Sequence, residues 1–487
     1  MAPSFILLCV IAYSALLFYV VWRSSRNADN ESFFIGNKSS KWYLVAYGMI
    51  GASLSGVTFM SVPGLVGTAN FSYMVLVLGY FFGYSIIALI LLPLYYKMNL
   101  TSIYTFLEKR FGFWSYKTGA FFFIISRTIG ASFRLYIVVN VLQLFIFDAW
   151  GVPFWVTVLA FILLILLYTY EGGVKTIVLT DTLQTTFMLF AVVIAVIYIS
   201  NELHMGFFDL IGAIHDKGYD KMINTDWHSK SYFLKQFFGG VFISVAMTGL
   251  DQEMMQKNIS VKTLGDSQKN MFSFAIVLLF INLLFLCLGA LLYLFSTAKG
   301  IPLPAKSDDL FPIIALNHLG GLVGIVFIIG LISAAYPSAD GALTALTSSF
   351  CIDFLNFKKS NWSEEKKKKI RYIVHFSFAT ILLLVIIVFR IINDDAVISK
   401  LFTVASYTYG PLLGLFAYGI LAKREVKDKL VPIICILSPF ICYILNENSI
   451  QWFDNYKFGF ELLIVNGLIT FCGLFLISKP KSKIELN

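Results

Sequence analysis

Small hydroxyl residues, two carboxylates and two arginines stand in this sequence where a plain membrane helix would carry leucine and valine. The stretch "GASLSGVTFMSVPG", residues 51–64, lies inside a long apolar run, yet holds Gly51, Gly56 and Gly64 with Ser53, Ser55 and Thr58 among them. In hydrocarbon an interrupted helix leaves N–H and C=O groups that only protein, water or an ion can satisfy. Freed carbonyls near the midplane suit a cation, and a helix N-terminus suits an anion. The alternative is close helix packing through small residues.

Asp340 in "GLISAAYPSADGALTALTSSF" (330–350) and Asp181 in "YEGGVKTIVLTDTLQTTF" (170–187) are ionisable groups inside apolar runs, which marks them as functional candidates. Pro337 removes a backbone donor and frees a carbonyl one turn earlier, and Ser338 follows it. Sodium takes hard oxygen ligands, so Asp181 and Asp340 suit one cation between them if their spans touch. Alternatively, Asp340 meets water at the cytoplasmic end of its span, or titrates in a proton-coupled cycle. Arg127 and Arg134, in "SRTIGASFRLYIVVN", are seven residues apart and share a helical face. An arginine at membrane depth keeps its charge and needs a partner. A solute carboxylate held bidentately is one partner, and Arg134 is the candidate for it. Arg127, nearer the cytoplasmic end, reads as structural; a protein acid or backbone carbonyls are the other partners available to either.

The elements that must position these residues are helices. Of 487 residues, 58% are hydrophobic and 13% charged, against about 25% charged in a soluble domain. Apolar runs of about 20 residues recur from end to end, each long enough to cross a bilayer. The reading is an all-α polytopic membrane protein with about 13 transmembrane helices; the first of them (4–22) is a span rather than a cleaved signal. The formal charge of +9 comes from short basic loops (23–41, 97–117, 256–269, 357–371 and 423–429) and does not point to nucleic acid. It places the N-terminus outside and the C-terminus in the cytoplasm of a cell (inner) membrane. A second weak span, "FFGGVFISVAMTGLDQ" (237–252), comes five spans after the first, as an inverted five-helix repeat with broken helices would have it. The expected organisation is an extra span and loop (1–41), a first repeat (42–200), an external loop with a short interfacial helix (201–231), a second repeat (232–422), and two C-terminal spans with a tail (423–487). The six cysteines lack CxxC spacing and read as buried, inert thiols, and the histidines show no metal spacing. An enzyme is therefore not indicated. A solute-sensing membrane protein is a further alternative, against which stands the lack of a cytoplasmic signalling domain. No obligate protein partner is evident beside membrane lipid.

Six stretches in order carry a resemblance to the sodium:solute symporters: "ESFFIGNKS", "GASLSGVTFMSVPG", "TSIYTFLEKRFG", "GGVKTIVLTDTLQ", "GLDQEMMQK" and "DDLFPIIALNHLGGLVGIVFIIGLISAAYPSADGALTAL". The resemblance covers nearly the whole chain. It implies a ten-helix core of two inverted repeats, alternating access, and Na+ as coupling ion for import of a small organic solute. It also implies a sodium held by backbone carbonyls at Gly51, Leu54 and Ala334 and by side chains at 337 and 338. Ser338 keeps its hydroxyl, whereas position 337, usually serine, is proline here. Some relatives hold a second sodium near the aspartate matching Asp181, with small hydroxyl residues at the positions that are Asp340 and Gly341 here. The sialic-acid carriers resemble this chain at Ser53, Ser55, Thr58 and Arg134, which implies an acidic solute. A proton-coupled or sodium-independent carrier of a sugar, amino acid or monocarboxylate is the other transport reading.

Overall fold

The structure is a computed structural model that describes residues 2–24, 40–169, 174–357, 360–392 and 397–480. The stretch "ESFFIGNKS" and the tail beyond Pro480 lie outside the described residues. The helices that matter here are α1 (Pro3–Ser24), α2 (Trp42–Ser53), α3 (Gly56–Ala69), α4 (Tyr73–Ile86), α5 (Phe113–Leu142), α6 (Phe154–Thr169), α7 (Val174–Glu202), α8 (Phe233–Ser244), α9 (Gln252–Ile259), α10 (Leu264–Lys299), α11 (Gly320–Ser349), α12 (Glu364–Ile392), α13 (Val397–Leu421), α14 (Val431–Glu447) and α15 (Leu462–Leu476). Their outer faces are apolar: Leu8, Phe82, Leu167, Phe280 and Ile391 are exposed, as side chains that meet lipid must be.

Among the described residues, nine helices are long and apolar enough to cross a membrane, or ten if the bent pair α8–α9 is one span. Two expected spans are shorter apolar helices, Phe154–Leu167 and Leu462–Leu476. The expected stretch 42–66 is broken between α2 and α3, and the apolar run from Gly56 continues to Lys97. The count of about 13 therefore does not follow from length and apolarity alone. The 201–231 connection carries a short helix, Phe207–Asp216, with Phe207 and Phe208 on its exposed side. Of the six cysteines, Cys351, Cys435 and Cys442 are buried, whereas Cys472 is exposed, because it sits on the outer face of α15.

Packing follows a repeated pattern. α7 lies along α11, and α13 lies along α5; α3 packs on α10, and α8 packs on α4. All four contacts run between the two halves, and they form two pairs that interchange when the halves exchange roles. The basic loops meet on one face. Arg110 donates to the carbonyls of Gly419, Ala422 and Arg424, and Asp428 accepts from the backbone of Trp114 and Ser115 at the start of α5. On the opposite face, Phe71 N–H donates to Lys221 O and Lys457 N–H to His228 O.

The α4–α8 seam is backbone against backbone. A Cβ at Gly240 would run into the Leu76 carbonyl. Gly240→Leu is therefore expected to destabilise the protein by about 1–3 kcal/mol through overpacking. A lowered unfolding temperature in detergent checks this; an unchanged one means that the seam is looser than described.

Candidate substrate and cation site

Two breaks in helical geometry face the same cavity. α2 ends at Ser53: Leu54 has φ −82° and ψ 87°, and Ser55, at φ −85° and ψ 178°, is extended. No side chain caps the start of α3. Leu54 N–H still donates to Ile50 O at 2.7 Å, and the carbonyls of Gly51, Ala52 and Ser53 come after the last helical donor. The second departure comes after α8, where a π turn (Val245–Gly249) leads into α9 with a bend of 67°. Asp251 makes that turn possible. Its Oδ1 accepts from the N–H groups of Glu253 and Met254 at the start of α9, and its Oδ2 accepts from the Tyr409 hydroxyl at 2.7 Å.

The cavity between these breaks is about 70 Å³. Ser53, Leu54, Ser55, Thr58 and Arg134 all line it, together with Arg127. Across from them stand Tyr73, Tyr80 and Tyr84 of α4, Thr248 of the π turn and Asn282 of α10. The Tyr84 hydroxyl lies against Ser53 and Thr248. A larger outer cavity of about 220 Å³ shares Tyr73 and Ile398 with the central one, and Lys230, Ser231 and Gln236 line its far side.

The two arginines differ in their partners. Arg127 forms a buried ion pair with Glu253. Among the described residues Arg134 has no carboxylate partner, and its Nε is buried without a hydrogen bond. A guanidinium in that condition is costly, and an incoming carboxylate relieves the cost.

Ala334 and Ser338 lie on α11, both fully buried, and α11 packs against α2. Ser338 Oγ has no hydrogen-bond partner among the described residues. Pro337 sits one residue before it inside the helix. Asp340 is fully buried rather than open to water at the cytoplasmic end, and its Oδ1 lies 2.5 Å from the Gly341 nitrogen.

Asp181 is also fully buried. Its Oδ2 accepts from Lys257 Nζ at 2.7 Å, while its Oδ1 has no hydrogen-bond partner among the described residues. Lys257 reaches Glu253 as well, at 3.4 Å, and Asp340 contributes to the field at its ammonium. Gly341 lies beside the Glu253 carboxylate, which a Cβ at that position would strike. Arg127, Glu253, Lys257 and Asp181 thus form one buried chain of charge across α5, α9 and α7. Sequence reasoning used "GLDQEMMQK" as a landmark and missed Glu253 and Lys257. The available signal was their i,i+4 spacing, which puts opposite charges on one helical face. Tyr84 and Asn282 were missed too, because a tyrosine or asparagine in an apolar run carries no sign of what it faces.

Three comparisons bear on this geometry. The family model described as "SSF: Sodium:solute symporter family" matches residues 33–428. The chain is 24% identical over 443 residues to the sodium/sialic acid symporter SiaT of Proteus mirabilis (strain HI4320), covering 87% of each chain. It is 21% identical over 459 residues to the sodium/sialic acid symporter NanT of Aliivibrio fischeri (strain ATCC 700601 / ES114), covering 92% of this chain and 88% of that one. A solved structure of a Na+-coupled sialic acid symporter, substrate-bound and outward-open, has the same fold: TM-score 0.83 at 20% identity, covering 98% of this chain and 99% of that one.

Because a buried ion pair loses far more when one partner is removed than when both are, Glu253→Ala is expected to cost about 3–5 kcal/mol, and Arg127→Met combined with Glu253→Met clearly less. Unfolding temperatures of the single and double variants check this. Equal losses would show that the pair does not act as a unit.

Proposed function

Because the chain belongs to the sodium:solute symporter family, we propose that it imports a small acidic organic solute, of the sialic-acid class, together with sodium. The observation that carries the acidic class is Arg134: a guanidinium in the central cavity whose Nε is buried without a hydrogen-bond partner among the described residues. Ser53, Ser55 and Thr58 stand around the same cavity as hydroxyl partners for a polyhydroxylated solute. The relatives named for sodium and sialic acid support the same reading.

In this account sodium sits where α2 ends against α11. The carbonyls of Gly51, Leu54 and Ala334 and the hydroxyl of Ser338 hold it. These are hard oxygen donors, three of them backbone, and such a set suits a small cation without further fixed charge. Pro337 cannot supply a hydroxyl, so a water or the carbonyl that the proline frees takes that place. Sodium draws the end of α2 and the middle of α11 together and completes the wall that carries Ser53 and Ser55. Each ligand then raises the affinity for the other by the same factor. Asp181 and Asp340 stand behind this site, on α7 and α11.

The outer cavity is the route in, with Tyr73 and Ile398 as the shared wall that opens and closes. The basic loops mark the cytoplasmic face of the cell membrane, which puts the N-terminus outside and the C-terminus inside. The two five-helix halves, 42–200 and 232–422, rock against each other to alternate access. With this orientation, a membrane potential of 100 mV contributes about 2.3 kcal/mol for each net charge carried inward.

Uptake into proteoliposomes tests the proposal. Labelled sialic acid, a monocarboxylate, a neutral sugar and an amino acid are supplied with and without an inward sodium gradient. The expected result is sodium-driven uptake of an acidic member of the panel. Arg134→Ala should lower that uptake roughly 30-fold or more, as the loss of a desolvated charge pair worth about 2–5 kcal/mol requires. Uptake of the neutral solutes alone, or an Arg134→Ala variant as active as the parent, would refute the acidic class.

A further inference from the structure

The two arginines of α5 share more than a helical face. The central cavity has a small continuation of about 10 Å³, walled by Met247 of the π turn and by Leu401 and Tyr409 of α13. Arg127 and Arg134 line both spaces. Seven residues set them about 10 Å apart along the axis of α5. Arg127 is the nearer to the start of that helix, where Asp428 accepts from the backbone of Trp114 and Ser115. Arg127 therefore lies on the side of the basic loops. We propose that Arg127 is a second station for the solute's carboxylate, which passes from Arg134 to Arg127 on its way to the cytoplasm.

Arg127 is only partly engaged. One terminal nitrogen pairs with Glu253, while its buried Nε has no hydrogen-bond partner among the described residues. A guanidinium presents its donors as a fork, so a second carboxylate can use the edge that Glu253 leaves. Glu253 in turn has another cation at hand, since its Oε1 stands 3.4 Å from Lys257 Nζ. When the solute draws on Arg127, Glu253 keeps a charge partner, and no buried carboxylate is stranded. Asp251, the other acid beside Arg127, is occupied: it accepts from two N–H groups of α9 and from the Tyr409 hydroxyl. The continuation has room for about one water, so the floor is shut here and must part before the solute passes. A carboxylate leaving through an apolar floor alone pays to desolvate its charge. A second guanidinium lowers that cost on the inward side.

The proposal rests on the acidic-solute reading, and the test separates the two. Uptake of labelled sialic acid into proteoliposomes and its equilibrium binding to the full-length protein in detergent with sodium are measured side by side. Arg127→Met combined with Glu253→Met removes the station and leaves no lone charge at the pair. This double variant should bind sialic acid as the parent does and turn over at least about 10-fold more slowly, as the loss of one charge-assisted contact on the path requires. Arg127→Lys keeps a point charge and should recover part of the rate. Arg134→Ala should lose binding itself. If the double Met variant does not fold, Arg127→Gln with Glu253→Gln takes its place. Parent-like turnover in a folded double variant overturns the proposal and leaves the acidic-solute reading standing. An Arg127→Lys protein as slow as the double variant overturns it as well, since the positive charge is then not what passes the solute on. A parent that neither binds nor carries sialic acid, nor any acidic solute of the panel, refutes the acidic-solute reading, and this proposal falls with it.

Discussion

A helix that stops inside hydrocarbon must hand its backbone groups to something other than lipid, and α2 stops at Leu54. The rest of the central architecture follows from that constraint. The end of α2 has to be covered, and α7 and α11 cover it. The covering helices bring hydroxyls: Thr185 of α7 lies beside Gly51, and Ser338 is buried on α11. Ser338 Oγ is buried and has no hydrogen-bond partner among the described residues.

The second break has a different solution. At Gly249–Asp251 the chain bends by 67°, and the new helix end is satisfied from within: Asp251 accepts from the first N–H groups of α9. The Gln252 side chain is fixed at both ends, with Oε1 accepting from Ile103 N–H and Nε2 donating to Thr101 O. α9 therefore holds still and carries Glu253 and Lys257 into a network with Arg127 and Asp181. One break is closed by protein; in the proposed function the other is left for cargo and ion. That asymmetry would set a rigid frame beside a site whose occupancy changes.

The fold class was legible because its signal is collective. Apolar runs such as 270–297 and 371–392 are long, and no soluble alternative accommodates them. The weak spans at 51–64 and 237–252 were visible because glycine, serine and threonine displace leucine there. The number of spans was less legible, because 42–66 is broken and continues past its own end, while the last span is short. Of the candidate site, Ser53, Ser55, Thr58 and Arg134 were legible as candidates, and they line one cavity. Lys257 was not found. Its partner Asp181 lies 76 residues away in sequence, and nothing in a single sequence says which helix faces which. Asp340 was visible as a buried charge, but whether it met water or a cation depended on packing that the pattern could not express.

Hydrogen–deuterium exchange of the peptide that spans residues 51–58 tests the central claim most directly. If sodium and solute complete the interrupted backbone, exchange of this peptide is slow in sodium, slower in sodium with solute, and fast when choline replaces sodium. The reference peptide at 103–107, held by protein groups alone, should not change. Identical exchange of residues 51–58 in all three conditions would contradict the account, since the break would then be satisfied by protein whether or not a ligand is bound.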